Sequence, residues 1–170
     1  MIHLNETRTI ARSPAEVFAF LADLTNFPMW RANLVSFEIL TEGPTDVGTR
    51  CTEVVQVGPM RATGTCDVTE FSPGGTMGFT ATSATIVYDG RIAVEPWEKG
   101  SRLTLTGDVH PRGPMKLTTP VLRRKLESGI QKEVAAVKEL LERQVTERVR
   151  RGRQVAVRIK MRTTRASGRI

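Results

Sequence analysis

The sequence predicts an α+β fold in which an antiparallel sheet packs against one long C-terminal helix. Two observations lead to this prediction. Between Asn33 and about His110, short runs rich in Thr and Val alternate with Gly and Pro, which is typical of an antiparallel meander of roughly six strands. From Thr119 to about Arg143, apolar residues recur at helical spacing. With 170 residues, the chain is long enough for one domain with a sizeable core.

The N-terminal segment is predicted to form a strand followed by a helix. The strand covers His3 to Arg12, a stretch rich in Thr and Ile. Ser13 then stands at the N-cap position, with Pro14 at the first helical position and Glu16 three residues after the cap. This pattern is a capping box, so the helix begins directly after Ser13.

This first helix has an apolar face and is followed by a turn or a second short helix. Its apolar residues at helical spacing are Val17, Phe18, Leu21 and Leu24. Phe27 and Trp30 follow in a segment that contains Asn26 and Pro28. We expect these two aromatic rings to form a wall of an interior cavity rather than to take part in chemistry.

The dipeptide Gly58-Pro59 predicts the register of one hairpin. Gly supplies the positive φ angle of the first central position of a type II′ turn, and Pro suits the second position. If these two residues form the whole loop, the numbers of opposing residues sum to 117. One face is then polar and carries Arg50 opposite Asp67, as a solvent-facing side should. The inward face carries the pairs Cys51/Cys66, Glu53/Gly64, Val55/Ala62 and Val57/Met60.

This inward face is unusual for a protein core. Ala62, Gly64 and Cys66 are small, so they leave space where a packed core would hold Leu or Phe. Glu53 also points inward, opposite Gly64. Cys51 and Cys66 face each other within disulfide range, but a reducing compartment favours two packed thiols.

The last two strands are predicted to pair so that opposing residue numbers sum to about 197. One face then carries Tyr88, Ile92 and Val94 together with Leu103, Leu105 and Val109. This face is apolar apart from the hydroxyl group of Tyr88. Glu95 and Arg102 meet on the opposite face.

The long helix is predicted to have Thr119 as its N-cap and Pro120 at its first position. Its apolar stripe consists of Leu122, Leu126, Ile130, Val134, Val137 and Leu141. Such a stripe needs a sheet to cover, and the concave inner face of the meander is the expected partner. The residues predicted to line a cavity between the two are Phe27, Trp30, Cys51, Glu53, Val55, Ala62, Gly64, Cys66, Tyr88, Ile92, Leu105, Leu122, Leu126 and Ile130.

The net positive charge of the chain comes from its C-terminal end, because acids balance the Lys and Arg residues elsewhere. The net charge is +7, and residues 146–170 hold nine of the 25 Lys and Arg residues but only one acid. We therefore predict a domain over residues 1–145 and a basic tail over residues 146–170 that is disordered or weakly structured. The alternation of Val155, Val157 and Ile159 with Arg158 and Lys160 makes a short strand or an amphipathic arm the alternative.

Composition and spacing exclude several classes of protein. No apolar run is long enough for a membrane span, and the first residues lack the pattern of a signal peptide, so we expect a cytoplasmic protein. His3 and His110 lie far apart and the two cysteines are not clustered, which predicts no metal site and no cofactor. The spacing offers no nucleophile with a base partner and no phosphate-binding loop.

One ordered set of motifs is similar to a known family. The motifs are Ser13-Pro14-Ala15-Glu16-Val17-Phe18, Leu21, Asp23, Phe27-Pro28, Trp30 and Val47-Gly48-Thr49-Arg50. Together with the meander and the closing helix, they resemble the START-like (SRPBCC) superfamily of polyketide cyclases/dehydrases, lipid-transfer domains and Bet v 1-type plant proteins. The resemblance implies a helix-grip fold, with a seven-stranded antiparallel sheet wrapped around the C-terminal helix and two short helices between the first two strands. It also implies a ligand cavity but no particular reaction.

Glu53 and Tyr88 are the polar side chains predicted to face the cavity. Glu53 could hydrogen-bond a ligand hydroxyl or move a proton at an enolisable carbon. Alternatively, Glu53 lies at a solvated rim or pairs with an inward Arg. Tyr88 could orient a ligand carbonyl, or it is an ordinary core residue with its oxygen at the edge. Both are weak catalytic candidates, and no catalytic residue is assigned.

Three functional hypotheses follow from these patterns. The favoured one is a binding protein, rather than an enzyme, for a small hydrophobic molecule such as a lipid, a polyketide or an isoprenoid. The second is a cyclase or dehydratase that uses Glu53 and Tyr88 as acid/base groups. In the third, the tail tethers the domain to nucleic acid or an anionic membrane through phosphate contacts, although no aromatic residue after Trp97 is present for base stacking. The sequence leaves both a monomer and a homodimer open.

Overall fold

Seven strands form one antiparallel sheet in the computed structural model, which describes the backbone of residues 1–166 and the side chains of residues 1–56, 58–117 and 119–143. The strands are β1 (Ile2–Ile10), β2 (Leu34–Ile39), β3 (Arg50–Val57), β4 (Met60–Ser72), β5 (Thr76–Ser83), β6 (Ile86–Trp97) and β7 (Gly100–Pro111). Their order in the sheet is β1-β7-β6-β5-β4-β3-β2, with antiparallel neighbours throughout. The predicted seven-stranded sheet is confirmed.

The described part of the chain also contains three α-helices and two 3₁₀ turns. The α-helices are α1 (Pro14–Ala22), α2 (Phe27–Trp30) and α3 (Thr119–Ala166), and the 3₁₀ turns cover Leu24–Asn26 and Gly113–Thr118. The two short helices lie between β1 and β2, as predicted. None of the described helices is both long enough and apolar enough to cross a membrane.

The start of α1 follows from its first turn. Ser13 Oγ accepts a hydrogen bond from the Glu16 backbone N–H at 3.4 Å, and Glu16 Oε2 accepts one from the Ser13 backbone N–H at 3.2 Å. Pro14 occupies the first helical position, where a backbone N–H has no partner within the helix. The predicted capping box is confirmed, and the helix that it starts buries Val17 and Leu21 completely.

Both predicted strand registers are confirmed. Gly58 has a φ angle of 62° and forms the turn between β3 and β4 with Pro59. The β3–β4 ladder includes Arg50 opposite Asp67, so opposing residue numbers sum to 117. The β6–β7 ladder pairs residues whose numbers sum to 197 along its whole length. The inward and outward faces assigned from the sequence follow directly from these registers.

Two features of α3 differ from the expectation. Thr119 has helical φ and ψ angles of −47° and −44°, so it is a helical residue rather than the N-cap, and its hydroxyl donates a hydrogen bond to the Lys116 carbonyl at 2.6 Å. The helical backbone also continues past Arg143 to Ala166, a stretch without Pro. The side chains of residues 146–170 lie outside the described ones, so the domain boundary and the properties of the basic tail stay predictions.

The packing of α3 leaves part of the sheet uncovered. The helix packs chiefly against β1, with further contacts to β7 and α2. Ile130, Val134, Val137 and Leu141 are buried on this side of the helix. It makes no comparable contact with β3, β4 or β5. The inner face of these three strands is therefore where a cavity can form.

Candidate functional site

A cavity of about 630 Å³ lies between α3 and the inner face of the sheet. It occupies the half of the sheet nearest the Gly58-Pro59 turn, and residues 124–133 of α3 form its opposite wall. In the other half of the sheet, the inner face is filled by buried residues such as Met77, Val94 and Leu103. The interior is thus divided into a packed core at one end and a cavity at the other.

Small residues keep the cavity open on the β4 side. Ala62 and Gly64 line it directly, opposite Val55 and Glu53 of β3. A Cβ atom at Gly64 would overlap the carbonyl oxygen of Thr82 on the neighbouring strand. Gly64 therefore serves two purposes, because it leaves space in the cavity and lets β5 approach closely.

The Tyr88 ring stands in the cavity wall over Gly107. A Cβ atom at Gly107 would overlap Tyr88 Cε2, so the ring requires glycine on β7. Phe79 meets the Tyr88 ring edge-on, with the ring centroids 5.7 Å apart. Burial raises the pKa of the Tyr88 hydroxyl, so that it stays a neutral hydrogen-bond donor. Among the described residues, none hydrogen-bonds this hydroxyl.

Glu53 forms an ion pair with Arg31 in the cavity wall. Arg31 Nη1 donates a hydrogen bond to Glu53 Oε2 at 2.7 Å, and the two side chains are only 11% and 6% exposed. Arg31 follows directly after α2, where its guanidinium group also lies over the Phe27 ring. Of the alternatives left open for Glu53, the structure shows the pairing with an inward arginine.

Glu133 brings a second carboxyl group to the same arginine. Its Oε1 lies 4.0 Å from Arg31 Nε, and its side chain is 17% exposed. Burial raises the pKa of Glu133 to about 7, against the attraction of Arg31 and with a further contribution from Glu53. Near neutral pH, Glu133 therefore exchanges between its acid and carboxylate forms beside the cavity.

Two further polar atoms of the cavity wall lack partners. Trp30 Nε1 and Asn33 Oδ1 are buried and form no hydrogen bond with a described residue. Both residues line the cavity. A buried polar group without a partner destabilises the fold by about 1–3 kcal/mol. The end of α2 and the connection to β2 thus place two polar atoms without partners beside the Arg31 guanidinium group in the cavity wall.

The structure places nine of the fourteen predicted lining residues around the cavity. These nine are Trp30, Glu53, Val55, Ala62, Gly64, Tyr88, Leu105, Leu126 and Ile130. The other five are buried but do not line the cavity: Phe27, Cys51, Cys66, Ile92 and Leu122. Cys51 and Cys66 lie outside the cavity because its space ends at Glu53 and Gly64, the neighbouring inward-facing pair of the same ladder. Both cysteines are free thiols, and burial raises the pKa of Cys51 to about 11.

Sequence reasoning missed Arg31, Asn33, Phe79 and Glu133, which all line the cavity. Glu133 carried a usable signal, because it lies three residues after Ile130 and four before Val137, within the apolar stripe of the helix. The sequence around Arg31 gave no such signal, because the directions of side chains in a short connection do not follow a regular pattern. In the described residues, no group of three or more His, Cys, Asp or Glu side chains is placed to hold a metal ion.

A protein-family model described as polyketide cyclase/dehydrase and lipid transport matches residues 1–142 of this chain. No curated protein matches the chain by sequence. Among solved structures, a START superfamily protein from Mycobacterium smegmatis superposes with a TM-score of 0.72 at 13% identity, covering 85% of this chain and 99% of that one.

Two similar structures carry names that refer to cyclases. The Zhui aromatase/cyclase from Streptomyces sp. R1128 gives a TM-score of 0.67 at 21% identity, covering 84% of this chain and 94% of that one. The di-domain ARO/CYC BexL from the BE-7585A biosynthetic pathway gives a TM-score of 0.66 at 17% identity, covering 84% of this chain and 47% of that one. At these identities, the likeness extends to the fold alone.

Proposed function

Because this chain belongs to the polyketide cyclase/dehydrase and lipid transport family, we propose that it binds a small hydrophobic molecule in the cavity between the sheet and α3. The observation that carries this proposal is the cavity itself, whose volume of about 630 Å³ is typical of small-molecule sites. Lipids, polyketides and isoprenoids are the proposed classes of ligand.

The lining of the cavity suits a ligand with an apolar body. Leu105, Val109, Leu126 and Ile130 contribute aliphatic surface, and Phe79 adds an aromatic ring. Transfer of apolar ligand surface from water to such a lining is favourable by about 25 cal/mol for each Å² buried. The Tyr88 hydroxyl group and the Arg31, Glu53 and Glu133 side chains are polar groups in this lining that can orient a ligand.

A fluorescent probe tests the binding proposal. N-phenyl-1-naphthylamine, which is neutral and apolar, should gain fluorescence on addition of the protein. Ala62→Phe fills the cavity from β4 and should abolish this gain. Thr63→Phe is the matched control, because Thr63 is exposed on the outer face of the same strand. Equal probe binding by Ala62→Phe and the wild type would reject the cavity as the binding site.

A second candidate function, as a cyclase or dehydratase, is supported by one observation. Glu133 has a pKa of about 7 and lines the same cavity, so its carboxylate form can accept a proton from an enolisable carbon and its acid form can return one. The neutral Tyr88 hydroxyl can donate a hydrogen bond to a substrate carbonyl. Glu53 is less suited to proton transfer than the sequence suggested, because it is held by Arg31.

A model substrate tests the enzymatic candidate. A poly-β-ketoacyl thioester of N-acetylcysteamine would be incubated with the protein, and mass spectrometry would detect cyclisation with loss of one water. Glu133→Gln should abolish that product, and Tyr88→Phe should slow its formation. Glu127→Gln serves as the control, since Glu127 lies on α3 but does not line this cavity. No acceleration over the protein-free reaction would reject catalysis of this reaction.

A further inference from the structure

Three basic side chains stand at the mouth of the cavity. Arg124, Lys125 and Lys132 line the cavity and are nevertheless exposed to solvent, which places them at its rim. We call these three residues the basic rim. None of them forms an ion pair with a described carboxylate. Further along α3, by contrast, Lys138 pairs with Glu142 at 2.8 Å.

Helix geometry places Arg124 and Lys132, two members of the basic rim, along one edge of the opening. Arg124, Ser128 and Lys132 follow at intervals of four residues, so they form a row along α3 that is about 12 Å long. Ser128 also lines the cavity and is exposed. An anionic group above Ser128 would lie within reach of the long side chains on both sides of it.

Lys125 extends from the helix to the opposite side of the opening. A Cβ atom at Gly58 would lie 2.5 Å from Lys125 Nζ, so the ammonium group sits directly against the β3–β4 turn. The two sides of the mouth are thus α3 and this turn, with a cation between them.

The charges deeper in the cavity are arranged differently. Arg31 is already bound to Glu53 at 2.7 Å and lies 4.0 Å from Glu133. An anionic ligand group placed there would meet one occupied cation and two carboxyl groups. The rim, in contrast, presents like charges whose mutual repulsion an anion would relieve. The interior therefore disfavours a negative charge, and the rim favours one.

We propose that the ligand is an anionic amphiphile, whose apolar body fills the cavity and whose carboxylate or phosphate group binds to Arg124, Lys125 and Lys132 at the mouth. This inference rests on the proposed binding function and adds the charge and the orientation of the ligand. Binding by such a ligand is sensitive to salt, because the basic rim is exposed.

Matched ligands that differ only in the head group test this inference. Dodecanoate, dodecyl phosphate and 1-dodecanol would each be used to displace N-phenyl-1-naphthylamine at neutral pH. For the wild-type protein, the two anions should displace the probe at concentrations about tenfold lower than the alcohol, which corresponds to about 1.4 kcal/mol. A preference for only one anion would identify carboxylate or phosphate as the head group.

Variants assign that preference to the basic rim. The triple variant Arg124→Ala, Lys125→Ala, Lys132→Ala should lose the preference for anions but bind 1-dodecanol as the wild type does. Arg123→Ala is the control, since Arg123 is exposed on the same helix but does not line the cavity. An anion preference that persists in the triple variant, or one that is absent from the wild type, would overturn the inference.

Two other outcomes separate this inference from its alternatives. Failure of the probe to bind any of the proteins would reject the binding function itself, and the inference with it. Sedimentation with vesicles of phosphatidylcholine and phosphatidylserine would detect a membrane-binding role of the rim. If the triple variant lost vesicle binding but kept its preference for dodecanoate, the basic rim would contact a membrane surface rather than the ligand, and the inference would be wrong.

Discussion

Arg31 and Glu53 form a hydrogen-bonded ion pair of 2.7 Å between the end of α2 and the middle of β3. The pair joins the short helices to the sheet at the polar side of the cavity. It also brings Arg31 within 4.0 Å of Glu133 on α3, so three parts of the fold meet at one guanidinium group. The polar chemistry of the cavity depends on this group.

Removal of Arg31 should destabilise the protein strongly. Arg31→Met leaves Glu53 and Glu133 buried without a cation, and loss of one partner of a buried ion pair typically lowers the free energy of unfolding by about 3–5 kcal/mol. The double variant Arg31→Met, Glu53→Leu should be more stable than Arg31→Met alone, because it also removes the uncompensated charge. Urea denaturation of Arg31→Met, Glu53→Leu and the double variant measures these differences. If the effects of the two single substitutions simply added up in the double variant, the predicted interaction between the two side chains would be contradicted.

Glu133 should make the stability of the protein depend on pH. Its pKa is about 7 in the folded protein and 4.5 in the reference state, so the folded chain binds more protons than the unfolded chain between these values. The free energy of unfolding should therefore fall as the pH rises from about 4.5 to above 7. The contribution is about 3 kcal/mol at most, since one pKa unit corresponds to about 1.4 kcal/mol.

Glu133→Gln isolates this contribution. Urea denaturation at about pH 5 and about pH 8 should show a smaller loss of stability for the variant than for the wild type. Glu127→Gln, on the same helix, should keep the wild-type difference. An unchanged difference in Glu133→Gln would show that this carboxyl group does not carry the raised pKa.

Gly107 should be required by the Tyr88 ring. A Cβ atom at Gly107 would overlap Tyr88 Cε2, so Gly107→Ala should lower the free energy of unfolding by about 1–3 kcal/mol. In Tyr88→Ala, the same glycine substitution should cost much less, because the clash is gone. A double-mutant cycle measures this difference. Equal costs of Gly107→Ala in both backgrounds would disprove the contact.

Gly129 should be replaceable, although it lies in the wall of the cavity. No atom lies within 4 Å of a Cβ built at Gly129, and alanine favours a helix interior by about 1 kcal/mol over glycine. Gly129→Ala should therefore raise the melting temperature. Gly64→Ala is the contrasting variant and should lower it, since its Cβ atom overlaps the Thr82 carbonyl. Destabilisation by Gly129→Ala would show that the space beside α3 is filled.

The fold was largely predictable because its signals are local. The Gly58-Pro59 turn determines the β3–β4 register, and the capping box at Ser13 determines where α1 begins. The end of α3 was not predictable from these signals, since the sequence after Arg143 contains no Pro to stop a helix.

The cavity was predictable only in part because its boundary is set by contacts between distant elements. The register alone identified Ala62, Gly64 and Glu53 as facing inward. It could not show that the core fills the sheet from Cys51 and Cys66 onward, because this depends on how the helices pack on the inner face. Partners that come from other elements, such as Arg31 for Glu53, require the three-dimensional structure.

Methyl NMR spectroscopy locates a bound molecule within the protein, and it therefore tests whether the cavity between the sheet and α3 binds a hydrophobic ligand. On addition of N-phenyl-1-naphthylamine, we expect the methyl signals of Ala62, Ala81 and Leu126, which line the cavity, to shift until binding saturates. The signals of Ile92 and Leu103, in the packed core beyond the cavity, should move much less. Shifts confined to exposed methyl groups, or no shifts at all, would contradict the claim that this cavity binds a hydrophobic ligand.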